Sequence, residues 1–349
     1  MRFFNERYPF YCGIDLHTKT MYVCVVDDGQ TVLHRNIKCD PKVFLKLLAP
    51  YRGKVVVGCE CTFSWYWLAD LCADEGIDFV LGHALYMKAV HGGKTKNDRI
   101  DSSKIAGLLR GGLFPVAYTY PKEMRSTRDL LRRRNHLMRK RAELLAHIQS
   151  LNSQANFAPF AKTLCFARNR RELDVAVRFE DTSVRQNVEA DLSMIDHYDP
   201  LIKKLEYFIG QTAKTHDARS YYLLRSIPGI GKILALVLLY EIHEIKRFDR
   251  VQDFVSYSRL IKCEKSSAGK KYGYSGRKIG NAHLKWAFSE AVCLMLRQSD
   301  RAKKFVARHE KKHGKGKAMS ILAAKIGRGV YYILKRQEPF EEARFFGAN

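Results

Sequence analysis

Leu130, Leu137, Leu144 and Leu151 recur every seven residues through "MRSTRDLLRRRNHLMRKRAELLAHIQSLNSQAN" (124–156), with Leu131, Met138 and Leu145 beside them. The spacing predicts one long helix with a single apolar seam and a cationic face of Arg128, Arg132, Arg133, Arg139 and Arg141. A seam of that length needs a partner. The helical pattern "LSMIDHYDPLIKKLEYFIGQTAKTH" (192–216) can return against it as an antiparallel arm, or the seam can join subunits. The stretch 157–191 between them has weak periodicity and predicts no definite element.

What precedes the arm is of another kind. "FYCGIDLHTKTMYVCVVD" (10–27) predicts a strand, a tight connection and a second strand, and "KVVVGCECT" (54–62) predicts another. A helical "FSWYWLADLCADEG" follows, then a short strand "IDFVLG" (77–82), then "KTKNDRIDSSKIAGLLR" (94–110), which runs into a helical pattern. Strands alternating with helices predict an α/β domain with a mixed sheet. After the arm, "LRSIPGIGKILALVLLYEI" (224–242) sets a Pro-Gly-Ile-Gly turn between two helical patterns. It is similar to a helix-hairpin-helix, whose backbone amides contact phosphate, and Gly229, Gly231 and Lys232 are its candidate contacts. A plain helix-breaking turn explains the same letters. The expected layout is α/β plus α: a domain at 1–120, a helical coiled-coil arm at 121–218 and a mainly helical domain at 219–349.

Lys and Arg number 61 against 36 Asp and Glu, a net charge of +25, which suits a polyanionic partner. Nucleic acid ranks ahead of an anionic membrane surface, because no window reaches the ~18 uninterrupted apolar residues of a spanning helix. The N-terminus lacks a signal peptide's apolar core and cleavage site, so a cytoplasmic protein is expected. Nine cysteines with no CxxC pair predict reduced thiols packed in the core.

Four acids hold positions that matter more than their identity. Asp15 ends the first strand pattern, Glu60 ends "KVVVGCE", and Asp98 and Asp101 stand one helical turn apart. Acids at neighbouring strand ends and on an adjacent helix can converge, and a bound divalent cation resolves their repulsion. Two such ions bridged by acids activate and stabilise oxygens in phosphodiester chemistry. Taken singly, Asp98 and Asp101 also read as a helix cap and a first-turn acid.

With these acids in place, "GIDLHTKTMYVCVVD", "VVVGCECT" and "KTKNDRIDSSKIAGLL" resemble the three blocks of a RuvC-like, ribonuclease-H-fold domain. "IPGIGKILALVLLYEI" followed by "EKSSAGKKYGYSGRKIGNAHLKWAFSEAV" resembles the transposase domain joined to it in the insertion sequence 110 family and the related Piv-type DNA invertases. The resemblance implies that Asp15, Glu60, Asp98 and Asp101 bind magnesium, two ions per site. It also implies a serine that attacks DNA and holds it as a phosphoserine. Ser266 is the matching residue and Ser267 the fallback, in a segment that lacks the usual proline and glycine before the serine. It further implies a structured guide, a bridge RNA, paired to donor and target double-stranded DNA, and a homo-oligomer, dimer or tetramer. Arg128, Arg132, Arg133, Arg139, Lys140, Arg141 and Lys278 are the expected backbone contacts. His17, Trp65 and Trp67 are expected to serve the turn and the core rather than the chemistry. The competing readings are a metal-dependent junction nuclease that hydrolyses DNA with water, and an inactive nucleic-acid-binding scaffold.

Overall fold

A computed structural model describes residues 2–90, 97–275 and 279–347, in two compact units, Met1–Lys122 and Glu123–Asn349. The first begins with β1 (Phe3–Phe4), β2 (Phe10–Leu16), β3 (Thr20–Val26) and β4 (Thr31–Lys38), then α1 (Pro41–Leu48), β5 (Val55–Glu60) and α2 (Tyr66–Asp74). It closes with β6 (Asp78–Gly82), α3 (Ala84–Val90), α4 (Asp98–Arg110) and β7 (Phe114–Pro115), which pairs with β1.

The main sheet has the order β4-β3-β2-β5-β6. β2, β3 and β4 form an antiparallel meander, and β5 and β6 run parallel to β2. The parallel strands are covered on both faces, which is why β5 reads as the unbroken apolar run Val55–Val56–Val57. Alternation sends Cys12, Ile14 and Leu16 to a core shared with Phe44 of α1 and Leu68 and Cys72 of α2. Tyr11, Cys24 and Val56 face the other way, onto Ile105, Ala106 and Leu109 of α4.

α4 lies unusually close to the sheet because glycine floors it. A Cβ on Gly13 would sit 2.3 Å from both Ala106 N and Ser102 O, and one on Gly58 would sit 2.7 Å from Leu109 Cδ1. Gly13→Ala is therefore expected to push α4 off the sheet and cost about 1–3 kcal/mol. Gly107→Ala is the control, since its Cβ would meet nothing within 4 Å. Thermal unfolding of the two variants checks this: Gly13→Ala should melt well below wild type, and Gly107→Ala at or above it.

The second unit opens with α5 (Lys122–Gln154), α6 (Ala167–Arg171), α7 (Val175–Arg178) and α8 (Thr182–Arg225). Arg134 pairs with Glu206, Arg141 Nε lies 2.6 Å from Asp199 Oδ1, and His147 Nδ1 lies 2.6 Å from Asp191 Oδ2. Partner numbers fall along α8 as they rise along α5, so the two form an antiparallel hairpin within one chain. Its buried line runs through Met124, Leu131, Leu145 and Ile148. Leu130, Leu137, Leu144 and Leu151 are half-buried on the flank of that line. This corrects the expected centre of the seam by one position, because α8 and the short helices pack on that side of α5. Leu164 and Phe179, from the stretch that predicted no element, fill the gap against Leu145, Ile148, Val188 and Ile195.

Asp217 has non-helical angles (φ −161°, ψ 82°) and divides α8 into two pieces. Beyond it come α9 (Lys232–Ile242), α10 (Val251–Tyr257), the hairpin β8 (Cys263–Ser267) and β9 (Lys270–Ser275), α11 (Ala282–Gln298), α12 (Asp300–His313), α13 (Lys315–Arg336) and α14 (Glu342–Phe346). α9 is buried on all sides from Leu234 to Ile242, as its unbroken apolar sequence requires, and forms the centre of this unit's core. Among the described residues, no helix is long and apolar enough to cross a membrane.

Candidate functional site

The pairing Ile14↔Cys59 sets Asp15 and Glu60 at the same level of adjacent parallel strands, on the sheet face that α4 covers. α4 begins there. Asn97 caps it, its side chain accepting from Arg99 N at 2.9 Å, and Asp98 and Asp101 occupy the first turn, where the helix dipole favours negative charge. Gly13, two residues before Asp15, lets the backbone of Ser102 rest on the sheet, so the first turn of α4 is held beside the strand end.

The structure brings Asp15 and Asp98 together through His17. His17 Nε2 lies 3.5 Å from Asp15 Oδ2 and 3.4 Å from Asp98 Oδ2, and one ligand atom from each residue lies within 4.8 Å of the others. Neither Glu60 nor Asp101 joins that group of three. Asp101 Oδ1 instead lies 3.3 Å from Lys104 Nζ. Two carboxylates and an imidazole, with His17 and Asp98 open to solvent and Asp15 more covered, fit a divalent cation that keeps water among its ligands. Reading the sequence assigns His17 to the turn; its nearness to Asp98 follows from the fold.

His34 of β4 is a residue that the sequence does not single out. Its Nε2 lies 3.0 Å from the Arg99 carbonyl and 3.1 Å from Ser102 Oγ, and Ser102 Oγ itself donates to that carbonyl at 2.9 Å. Burial holds the His34 pKa below its ordinary value, which favours the neutral ring, and its contacts pin the first turn of α4.

Ser266 and Ser267 end β8, at the tip of a hairpin. Ser267 pairs with Lys270 across a turn made by Ala268 (φ 48°) and Gly269 (φ 75°), two left-handed residues as a tight two-residue hairpin requires. The pairing register shifts between Lys265 and Ser266, and both serines are exposed. Lys278 lies outside the described residues.

The basic residues divide. Arg132 grips buried Glu241 with two bonds, Nε to Oε1 at 2.7 Å and Nη2 to Oε2 at 2.8 Å, and Arg128 Nε reaches Oε2 at 3.2 Å. Arg141 is held by Asp199 and by the Cys165 carbonyl. Their guanidinium groups serve the fold. Lys140 makes an exposed pair with Glu143, and Arg133 and Arg139 are exposed. In the Pro-Gly-Ile-Gly turn, Gly229 (φ 84°) packs so tightly on α11 that a Cβ would sit 2.4 Å from Met295 N, and its amide donates to Gln298 Oε1 at 2.9 Å. Gly229 thus docks α11, while Gly231 and Lys232 are exposed at the start of α9.

Comparison with known proteins meets this geometry from outside. Residues 221–307 match the family model described as Transposase IS116/IS110/IS902 family, and residues 12–156 match the DEDD model of the IS110 transposases, described as Transposase. The second match contains Asp15, Glu60, Asp98 and Asp101, and the domain that it describes is ribonuclease-H-like, as the mixed five-stranded sheet is here. The chain is also 22% identical over 339 residues to the transposase for insertion sequence element IS1111A of Coxiella burnetii (strain RSA 493 / Nine Mile phase I), spanning 94% of this chain and 90% of that one.

Proposed function

Since the chain belongs to the insertion sequence 110 family of transposases, we propose that it moves a DNA element with two groups of its own, a magnesium-binding acid cluster and the Ser266 hydroxyl. The observation that carries this reading is the meeting of Asp15, His17 and Asp98 at the strand ends beneath the start of α4. Glu60, level with Asp15 on the next strand, and Asp101, one turn after Asp98, complete the ligand set in this proposal. Bound there, divalent ions would neutralise charge on the reacting phosphate and lower the pKa of the attacking hydroxyl.

Ser266 supplies the nucleophile. A serine hydroxyl is weak until a base or cation activates it, so the hairpin tip must deliver it to the acids, within one chain or between subunits. Its oxygen attacks phosphorus, and the hydroxyl proton passes to a carboxylate of the cluster. The bond from phosphorus to the departing deoxyribose oxygen breaks, and that oxygen takes up a proton. A hydroxyl of the incoming strand then attacks the phosphoserine, the new phosphodiester forms, and serine leaves reprotonated. The number of phosphate ester bonds is conserved, which is why rejoining needs no energy source. The +25 charge and the exposed Arg133, Arg139 and Lys140 support the further reading that the enzyme holds a guide RNA beside its DNA.

Recombination between two plasmids carrying the DNA that flanks this gene tests the proposal. Ser266→Ala is expected to lower strand exchange to background and to remove the protein–DNA adduct that wild type forms. An adduct that persists in Ser266→Ala and disappears in Ser267→Ala would move the role to Ser267. Cleavage by wild type with no adduct would replace the serine step with hydrolysis.

A further inference from the structure

The kink in α8 builds a groove. Asp217 leaves the helix and its Oδ1 accepts from Ser220 N at 2.9 Å, so it caps the last piece of α8 as an independent turn. That piece and the start of α9 flank the stripe of α8 that carries Tyr207 and Lys214, enclosing a groove of about 220 Å³. Lys214, Arg225 and Lys232 line it, all exposed, and no carboxylate does. Tyr207 and Tyr222 stand at its edge, 67% and 53% exposed, far more than a tyrosine kept for packing. Gly210, having no side chain, leaves room for Lys232, whose Cε would lie 3.0 Å from a Cβ there.

We infer that this groove binds a single-stranded stretch of nucleic acid, with phosphates on Lys214, Arg225 and Lys232 and unpaired bases stacked on Tyr207 and Tyr222. Three cations with no acid among them select a polyanion. Two exposed rings select bases with open faces, which a duplex does not present. The inference rests on reading the chain as an enzyme of nucleic acids, and adds where an unpaired strand is held, apart from the acids and Ser266.

The test is fluorescence anisotropy of the full chain with labelled oligothymidylate, oligouridylate of equal length and a blunt duplex, across a salt series. Tyr207→Ala with Tyr222→Ala should weaken single-strand binding by roughly tenfold per ring, leave duplex binding unchanged, and be rescued by the phenylalanine pair. Changing the three cations to glutamine should lower the slope of log affinity against log salt by about 2. Tighter binding of oligouridylate assigns the groove to RNA, and tighter binding of oligothymidylate assigns it to a displaced DNA strand. Variants that bind single strands like wild type, or lose single strand and duplex alike, overturn the groove. Recombination by wild type in that case leaves the acid and serine chemistry standing, and failed recombination with intact stacking would do the reverse.

Discussion

Asp15→Asn is expected to slow strand cleavage on the order of a thousand-fold or more, because the charge clamp of a metal site supplies several kcal/mol of transition-state stabilisation. The amide keeps the shape of the side chain, so the β2–β3 pairing that holds position 15 opposite Tyr22 should survive and the protein should still bind nucleic acid. Asp98→Asn should match it, since His17 stands between the two carboxylates at 3.5 and 3.4 Å. Asp101→Asn discriminates. If four acids hold the ions, Asp101 leaves Lys104 when they bind and its loss is as severe; if Asp15, His17 and Asp98 suffice, Asp101→Asn cleaves nearly as wild type and His17→Ala becomes the severe variant. Single-turnover cleavage with titrated magnesium or manganese, beside calorimetric binding of the same ions, reads both. Asp15→Asn cutting at the wild-type rate would remove the acids from the chemistry.

Why these acids were legible, and their neighbours not, comes down to which forces act locally. Asp15, Glu60 and Asp98 stand where an apolar strand run ends or a helical pattern starts, and both boundaries are visible in the residue order itself. His17 is in plain view two residues past Asp15, but its neighbour Asp98 is brought to it only when Gly13 lets α4 settle on β2. β4 is hidden in the sequence for the opposite reason. "TVLHRNIK" is an edge strand, mostly exposed or half-buried, so it lacks the apolar alternation that marks β2 and β3, although His34 within it pins α4. The stretch 157–191 is held by polar contacts at irregular spacing. Arg170, its side chain 1% exposed, bonds Asp196 and Asp199, and Arg178 bonds Asn152 while lying 4.3 Å over the Phe160 ring. No periodic pattern records such anchors. Arg128, Arg132, Arg134 and Arg141 of α5 show the same limit: their charge is obvious in sequence, whereas the acid that each of them holds comes from another helix.

Glu241 is where that limit matters most, and Glu241→Ala is expected to cost about 3–5 kcal/mol, the usual penalty for stranding buried charge. The residue sits near the end of α9 in "ILALVLLYEI", a text that reads as pure core, and it is 1% exposed. Burial alone would raise its pKa. The Arg132 bond, the charges of Arg128 and Arg132 and the Asn281 amide, 2.8 Å from Oε2, together reverse that and hold it at about 2. The unfolded chain, with a carboxyl near 4.5, therefore binds the proton more tightly than the folded one. The contribution, about 3 kcal/mol by that difference, is complete above pH 4.5 and is lost as pH falls towards 2. Glu241 also joins three elements: Arg128 and Arg132 come from α5, and Asn281, whose Oδ1 accepts from His283 N and Leu284 N, caps α11 just after the hairpin that carries Ser266. Loss of the acid should thus loosen α5 and the start of α11 in one cooperative step. Urea unfolding at neutral and acid pH checks this: Glu241→Ala should lower the wild-type midpoint sharply at pH 7 and much less near pH 2. Replacing Arg128, Arg132 and Glu241 together by apolar residues of similar volume should recover much of the stability, because the cost lies in charge left without its partner. A triple variant as unstable as Glu241→Ala would show that the bonds themselves, rather than the burial of unpaired charge, hold the helices together.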